Sequence, residues 1–255
     1  MTIQFNPIDG PAAQPWLTAF WQTLASPIDS FLEDRILSAN LYEIRFDGAA
    51  AGLAAVYGES TLTLLHLAPP FQRHSQPIFA AARRLESVRE ALVASGDEHF
   101  LALVLESARR SEPGAYFFQQ VPNVAVAAPA GYALRPAGPA DEALIRQHSD
   151  DFFEPLAPAL ARGDLFLGYQ TDELVAIGVA ERSQLAPDHA SIGMFVLAER
   201  RRQGHGTATI QALIAHCRAT GLTPIAGCYY YNHNSKKTLE KAGMYSKTRL
   251  FKAQL

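Results

Sequence analysis

Residues 199–208 read ERRRQGHGTA: three consecutive arginines, two glycines separated by one residue, then a hydroxyl side chain and a small one. The stretch follows an apolar run, ASIGMFVL (190–197), and leads into TATIQALIAHCRATG. In that segment Ile210, Leu213, Ile214 and Cys217 fall on one face of a helix, and Gly221 supplies a stop signal. A helix start presents unsatisfied N–H groups and partial positive charge. Glycines let the backbone close round an anion, and arginines add charge-assisted bonds to phosphate oxygens. The stretch therefore reads as a grip on a pyrophosphate, with Gly204 and Gly206 shaping the loop, His205 giving its amide and Thr207 a hydroxyl donor or cap. No GK[ST] follows, so it is not a Walker loop. The third glycine of a dinucleotide fingerprint is also missing.

Working outward, the second half begins with a strand ending near Arg135 and a helix from about Pro139. A short helical piece closes at Gly163, and a hairpin, 165–170 and 174–183, precedes the strand 190–197. After the helix come a strand over 223–231, a short helix through NHNSKKTLEK bounded by Gly243, and a last strand, KTRLFKA. The first half gives a similar order, with helices in PAAQPWLTAFWQTL and DSFLEDRIL, then LYEIRFDG, AAAGLAAVYGES and TLTLLHLAPP as strands. QPIFAAARRLESVREALVASG reads as one helix and HFLALVLES as a strand. HLAPPFQRHSQPIF (66–79) lies against VLAERRRQGHGTAT (196–209), so the chain reads as a tandem repeat, 1–125 and 126–255. In the first copy His74 and Gln76 stand where the second has Gly204 and Gly206. That copy is expected to have lost its ligand.

Composition limits the function classes. The 255 residues are 48% hydrophobic and 18% charged, which is the balance of a folded protein. A formal charge of −3 speaks against a nucleic-acid or membrane-surface binder. Cys217 and Cys228 show no framework spacing and read as core residues in a reducing compartment. MTIQFNPIDGPAAQPW lacks the pattern of a signal peptide, no run suffices to span a bilayer, and no histidine spacing suggests a metal. The expectation is a cytoplasmic protein, monomer or homodimer, without metal.

Arg201-Arg202-Gln203-Gly204-His205-Gly206 matches the R/Q-x-x-G-x-G/A signature of the GCN5-related N-acetyltransferases. Asn232-His233-Asn234-Ser235 and Leu239-Glu240-Lys241-Ala242-Gly243-Met244 resemble that family's second motif. The likeness covers roughly residues 130 to 255, and the first half resembles a degenerate copy. It implies an α/β (α+β) fold of two tandem domains, each a mixed, mostly antiparallel sheet flanked by helices, with splayed central parallel strands. It also implies acetyl-CoA bound between strands 190–197 and 223–231. A bulge at Gly193 would part those strands. The backbone of Phe195, Val196 and Leu197 would pair with the pantetheine arm, the amides of 202–207 would hold the pyrophosphate, and Asn232 would meet the arm's far end, with Ser235 beside it in the motif. One of Arg200 to Arg202 would reach the 3′-phosphate.

The family's usual tyrosine position holds Leu239, and Ser191 stands where a strand glutamate sometimes sits. Substitutes are Tyr229 and Tyr231, which alternation places on one face of a strand, His233, and the pair Asp188 and His189. Proximity and a polarised carbonyl provide rate without a dedicated base. Asp150, Asp151 and Glu154 lie in the region that borders the acceptor in this family. The favoured reading is direct transfer of acetyl from acetyl-CoA to a primary amine on a small molecule; the alternatives are transfer to a protein or peptide amine and an acyl-CoA sensor without transfer.

Overall fold

The computed structural model describes residues 2–121 and 130–255. The expected boundary between 125 and 126 lies outside the described residues. Contacts divide the chain into two compact units, one of residues up to Phe117 with Lys247–Leu255, the other of Phe118–Ser246.

The first unit runs β1 (Ile3–Ile8), α1 (Gly10–Thr23), α2 (Ser30–Leu37), β2 (Asn40–Phe46), β3 (Ala49–Tyr57), β4 (Thr61–Leu67), α3 (Ser75–Ala82), β5 (Glu90–Ala94), α4 (Glu98–Ser107) and β6 (Arg110–Gln120). The second repeats that order as β7 (Tyr132–Pro136), α5 (Glu142–Ser149), α6 (Leu156–Arg162), β8 (Leu165–Gln170), β9 (Glu173–Arg182), β10 (His189–Val196), α7 (His205–Ala219), β11 (Thr223–Tyr229), α8 (His233–Lys241) and β12 (Met244–Gln254). The last strand starts in the second unit and ends in the first, where Leu250–Gln254 pairs antiparallel with β5. The tandem architecture follows from this repetition of elements.

Local chemistry explains the elements. Asp9, Asp29, Asp97 and Asn232 each cap a helix by accepting a backbone N–H of its first turn. Thr171 and Asp172, both left-handed, make the tight turn between β8 and β9, and Asp47-Gly48 does the same between β2 and β3. In each unit one face of the sheet buries helix residues: Ile78, Phe79, Phe100 and Val104 in the first, Ala208 and Ala212 in the second.

Two sequence expectations change in the first unit. QPIFAAARRLESVREALVASG is not one helix: α3 stops at Ala82, a 3-10 turn spans Leu85–Ser87, Ser87 takes φ 58°, and β5 follows. HFLALVLES is helix α4, not a strand. Asp97 accepts from the Phe100 amide at 3.1 Å, and Phe100, Leu103 and Val104 are buried at helical spacing. β1 and β6 carry no signal that sequence reasoning used.

Asp29, buried, and Asp97, half-buried, cap their helices, and desolvation pushes each carboxyl up to about 7. A carboxyl raised on folding binds its proton better in the native state. It therefore lowers stability as pH rises from the ordinary carboxylate range toward 7. Asp97→Asn keeps the cap oxygen without the charge. Its melting temperature is expected to match wild type near pH 4 and to stand several degrees higher at pH 8. Parallel curves across that range would contradict this assignment.

Candidate active site at the end of β10

The site grows from how β10 is paired. Along β9 its register is unbroken from Ala190↔Arg182 to Val196↔Ala176. The expected bulge at Gly193 is therefore absent. A Cβ there would stand 3.1 Å from the Val179 Cγ1, so the glycine makes room for that neighbour. On the other edge β10 meets β11 in parallel only at His189↔Thr223, Ala190↔Pro224 and Ser191↔Ile225. Beyond Ser191 the strands part, and burial changes with them: Ala190–Ile192 are buried, Gly193–Val196 half-buried. β4 and β5 show the same early parting, pairing only at Thr61↔Glu90 and Leu62↔Ala91. The splay is a property of both units; in the first the β3–β4 register shifts between Ala55 and Val56, beside the parting, whereas in the second the β9–β10 register stays unbroken.

Strand geometry decides which backbone groups face the opening. The Leu197 N–H donates to the Val175 carbonyl at 3.1 Å, so odd-numbered residues of this strand turn their polar groups to β9. Even-numbered residues face the splay. Of Phe195, Val196 and Leu197, only Val196 offers its backbone there, joined by Met194, which sequence reasoning left out. Alternation of backbone direction was the signal available for it.

At the end of β10 the chain turns through a 3-10 segment, Ala198–Arg200, into the arginine-glycine loop. Arg202 takes φ 63° and Gly204 φ 92°. Gly204 precedes α7 and carries no side chain to cap it, and the first intrahelical bond is from the Ala208 N–H to the Gly204 carbonyl, 3.0 Å. The amides of His205, Gly206 and Thr207 thus lack intrahelical acceptors at the start of a 15-residue helix. Gly206 is helical rather than left-handed, and its role is close approach. A Cβ there would meet methyls of Thr238 and Val196 at 3.2 and 3.3 Å.

The arginines divide their work. Arg200 pairs with Glu173 at 2.7 Å. The Arg201 Nε donates to the Val196 carbonyl at 3.1 Å, and its guanidinium stands 5.6 Å from the Phe195 ring centroid. Arg202 is exposed and makes no ion pair among the described residues. Gln203 donates to the Glu199 carbonyl at 3.1 Å.

Across the splay, β11 ends at Tyr229, so Tyr231 lies past the strand in the turn before α8. The two rings still meet, with centroids 5.6 Å apart. The Asn232 Oδ1 accepts from the Ser235 N–H at 3.0 Å, which leaves the Asn232 side-chain N–H groups for a ligand. His233 is exposed and opens α8. Leu239 and Ser191 are buried. Cys228 is buried too; desolvation raises its thiol, and the thiol donates to the Asn232 carbonyl at 3.4 Å. This cysteine supports the turn and is no nucleophile.

Two expected groups stand apart. Asp188 bonds His189 at 2.8 Å, and that bond holds the carboxyl below its usual range. The pair sits at the start of β10, about 23 Å from Val196 at strand spacing. Glu154 is held by the Leu156 N–H and by Arg146, while Asp150 and Asp151 are exposed.

The first unit shows what the loop becomes without its glycines. His74 has φ −109° and stacks on Phe46 at 4.3 Å, and Gln76 bonds Glu106 at 3.2 Å. Between Leu67 and Gln76 no residue is left-handed. Among the described residues no cluster of three or more His, Cys, Asp or Glu could hold a metal, and no helix is long and apolar enough to cross a membrane.

Comparison with known proteins agrees with this geometry. Residues 12–121 match the model of an acetyltransferase (GNAT) domain, and residues 136–244 that of the acetyltransferase (GNAT) family. No curated protein sequence matches the chain. Among solved structures it is similar to a GNAT-family acetyltransferase from Colwellia psychrerythraea, with TM-score 0.89, 19% identity and all of both chains covered. A GCN5-related N-acetyltransferase from Sphaerobacter thermophilus gives 0.65 at 14% identity, covering 99% of this chain and 95% of that one. A tandem GNAT protein from the clavulanic acid biosynthesis pathway gives 0.64 at 14%, covering 99% and 98%. The chain belongs to the GCN5-related N-acetyltransferase family, as an acyltransferase with two GNAT domains in tandem.

Proposed function

We propose that the second unit transfers the acetyl group of acetyl-CoA to a primary amine on a small molecule. The observation that carries this reading is the left-handed Gly204 opening an uncapped helix where β11 has left β10. In this reading the amides of His205, Gly206 and Thr207 bind the pyrophosphate, with Arg202 and Arg201 adding charge. The Val196 and Met194 backbones bond the pantetheine arm, and the Asn232 side-chain amide meets its thioester end. Engaging the Val196 carbonyl displaces the Arg201 Nε, which frees that guanidinium for a phosphate. The neutral amine attacks the thioester carbonyl, the C–N bond forms as the C–S bond breaks, and the amine's proton passes to water or His233. Tyr229, with Tyr231 against it, is placed to return a proton to the CoA thiolate. Orientation supplies much of the rate. Both cysteines are free and buried, in keeping with the cytosolic setting we assign.

The test is thiol release from acetyl-CoA over a mixed panel of small amines and lysine peptides, with calorimetric titration of CoA alongside. The expected result is amine-dependent release with an acetylated small-molecule product, and one CoA per chain. Release with lysine peptides alone would move the acceptor to protein. Two CoA per chain would contradict the loss of the first unit's site.

A further inference from the structure

We propose that the acceptor amine carries a planar aromatic body, held by rings that flank both strands of the splay; the inference rests on the acetyl-transfer reading above. β10 turns the Met194 and Val196 side chains toward α7, where they lie 3.7 and 3.3 Å from a Cβ built on Gly206. Alternation then puts Phe195 on the opposite face, packed against the buried cluster that includes Ile145, Leu156 and Leu160. On that face Phe152 and Phe153 stand 5.2 and 6.3 Å from the Phe195 ring centroid, and 4.9 Å from each other.

β11 repeats the arrangement. The Cys228 thiol turns to the first turn of α8, which shares the α7 face, since Thr238 is the neighbour that a Cβ on Gly206 would meet. Tyr229 therefore turns to the face away from α7, with Tyr231 against it. A donor whose pyrophosphate sits at the start of α7 leaves that open face for the acceptor.

The rings there are in water. Phe152 is 59% exposed, Tyr229 63% and Tyr231 58%. Exposed aromatic surface beside a reacting centre favours a ligand with flat faces and few charges. Of the three carboxylates in this segment, Glu154 is already held by Arg146 and the Leu156 amide, while Asp150 and Asp151 stay exposed beside Phe152.

The test titrates tryptamine, and separately spermidine, into CoA-saturated wild type and Phe152→Ala. Phe152 is exposed, so CoA binding by the variant reports an intact fold. The expected result is tryptamine bound about ten-fold more tightly than spermidine, with about ten-fold loss of tryptamine affinity in the variant. Tighter binding of spermidine, or unchanged tryptamine binding in Phe152→Ala, would overturn the aromatic acceptor and leave acetyl transfer standing. Failure of the wild type to bind CoA would overturn acetyl transfer and this proposal together.

Discussion

Gly204→Asp is expected to abolish the CoA-induced rise in melting temperature and to lower acetyl transfer at least about 100-fold, without unfolding the protein. The backbone at 204 has φ 92°, and a Cβ there would meet nothing within 4 Å. Aspartate tolerates left-handed angles better than most residues, and its carboxylate sits favourably at a helix start. The introduced charge then competes with the pyrophosphate for the amides of 205–207. Several charge-assisted bonds are lost, each worth roughly 1.5–3 kcal/mol. Gly204→Asn supplies the same shape without charge and is expected to retain most of the binding. Equal loss in both variants would assign the effect to shape rather than to an anion site.

Gly168→Ala is expected to destabilise the second unit by about 2–4 kcal/mol, combining overpacking with a disturbed buried hydrogen bond. A Cβ at 168 would lie 2.0 Å from the Tyr132 hydroxyl and 2.9 Å from Cζ. That hydroxyl meets the Thr209 Oγ1 at 2.6 Å, tying β7 to α7. Thermal unfolding should show a fall on the order of 10 °C. Adding Tyr132→Phe removes the nearest colliding atom, so the double variant should lose less than Gly168→Ala alone. A single variant melting with the wild type would show that β7 yields freely and that this tie is weak.

Legibility in the sequence followed the physics of each segment. The second unit was readable because its signals are local: Gly163, Gly221 and Gly243 stop helices, and Ile210, Leu213, Ile214 and Cys217 mark one face. In the first unit, 88–107 alternates short apolar runs with few breakers, so strand and helix look alike by periodicity. Asp97 was the decisive residue, a cap at the start of α4 as Asn232 is at the start of α8. Comparing the two copies there would have exchanged the assignments. The left-handed turn at Gly204 before α7 was legible because a glycine acts through its own backbone. The Gly193 bulge was misread because what the glycine accommodates, Val179, belongs to another strand. The Phe152–Phe195 contact and the direction of the β10 backbone likewise depend on pairing, which no single segment encodes.

Amide hydrogen exchange with and without CoA tests the central claim most directly, because the proposed site consists of N–H groups. The amides of 205–207 lack intrahelical acceptors and should exchange quickly in the free protein. Binding at this loop predicts CoA-dependent slowing in peptides covering 192–197 and 201–208, and none in 66–76, where His74 and Gln76 replace the glycines. Slowing confined to 66–76, or no slowing in either loop from a protein that binds CoA, would contradict the account.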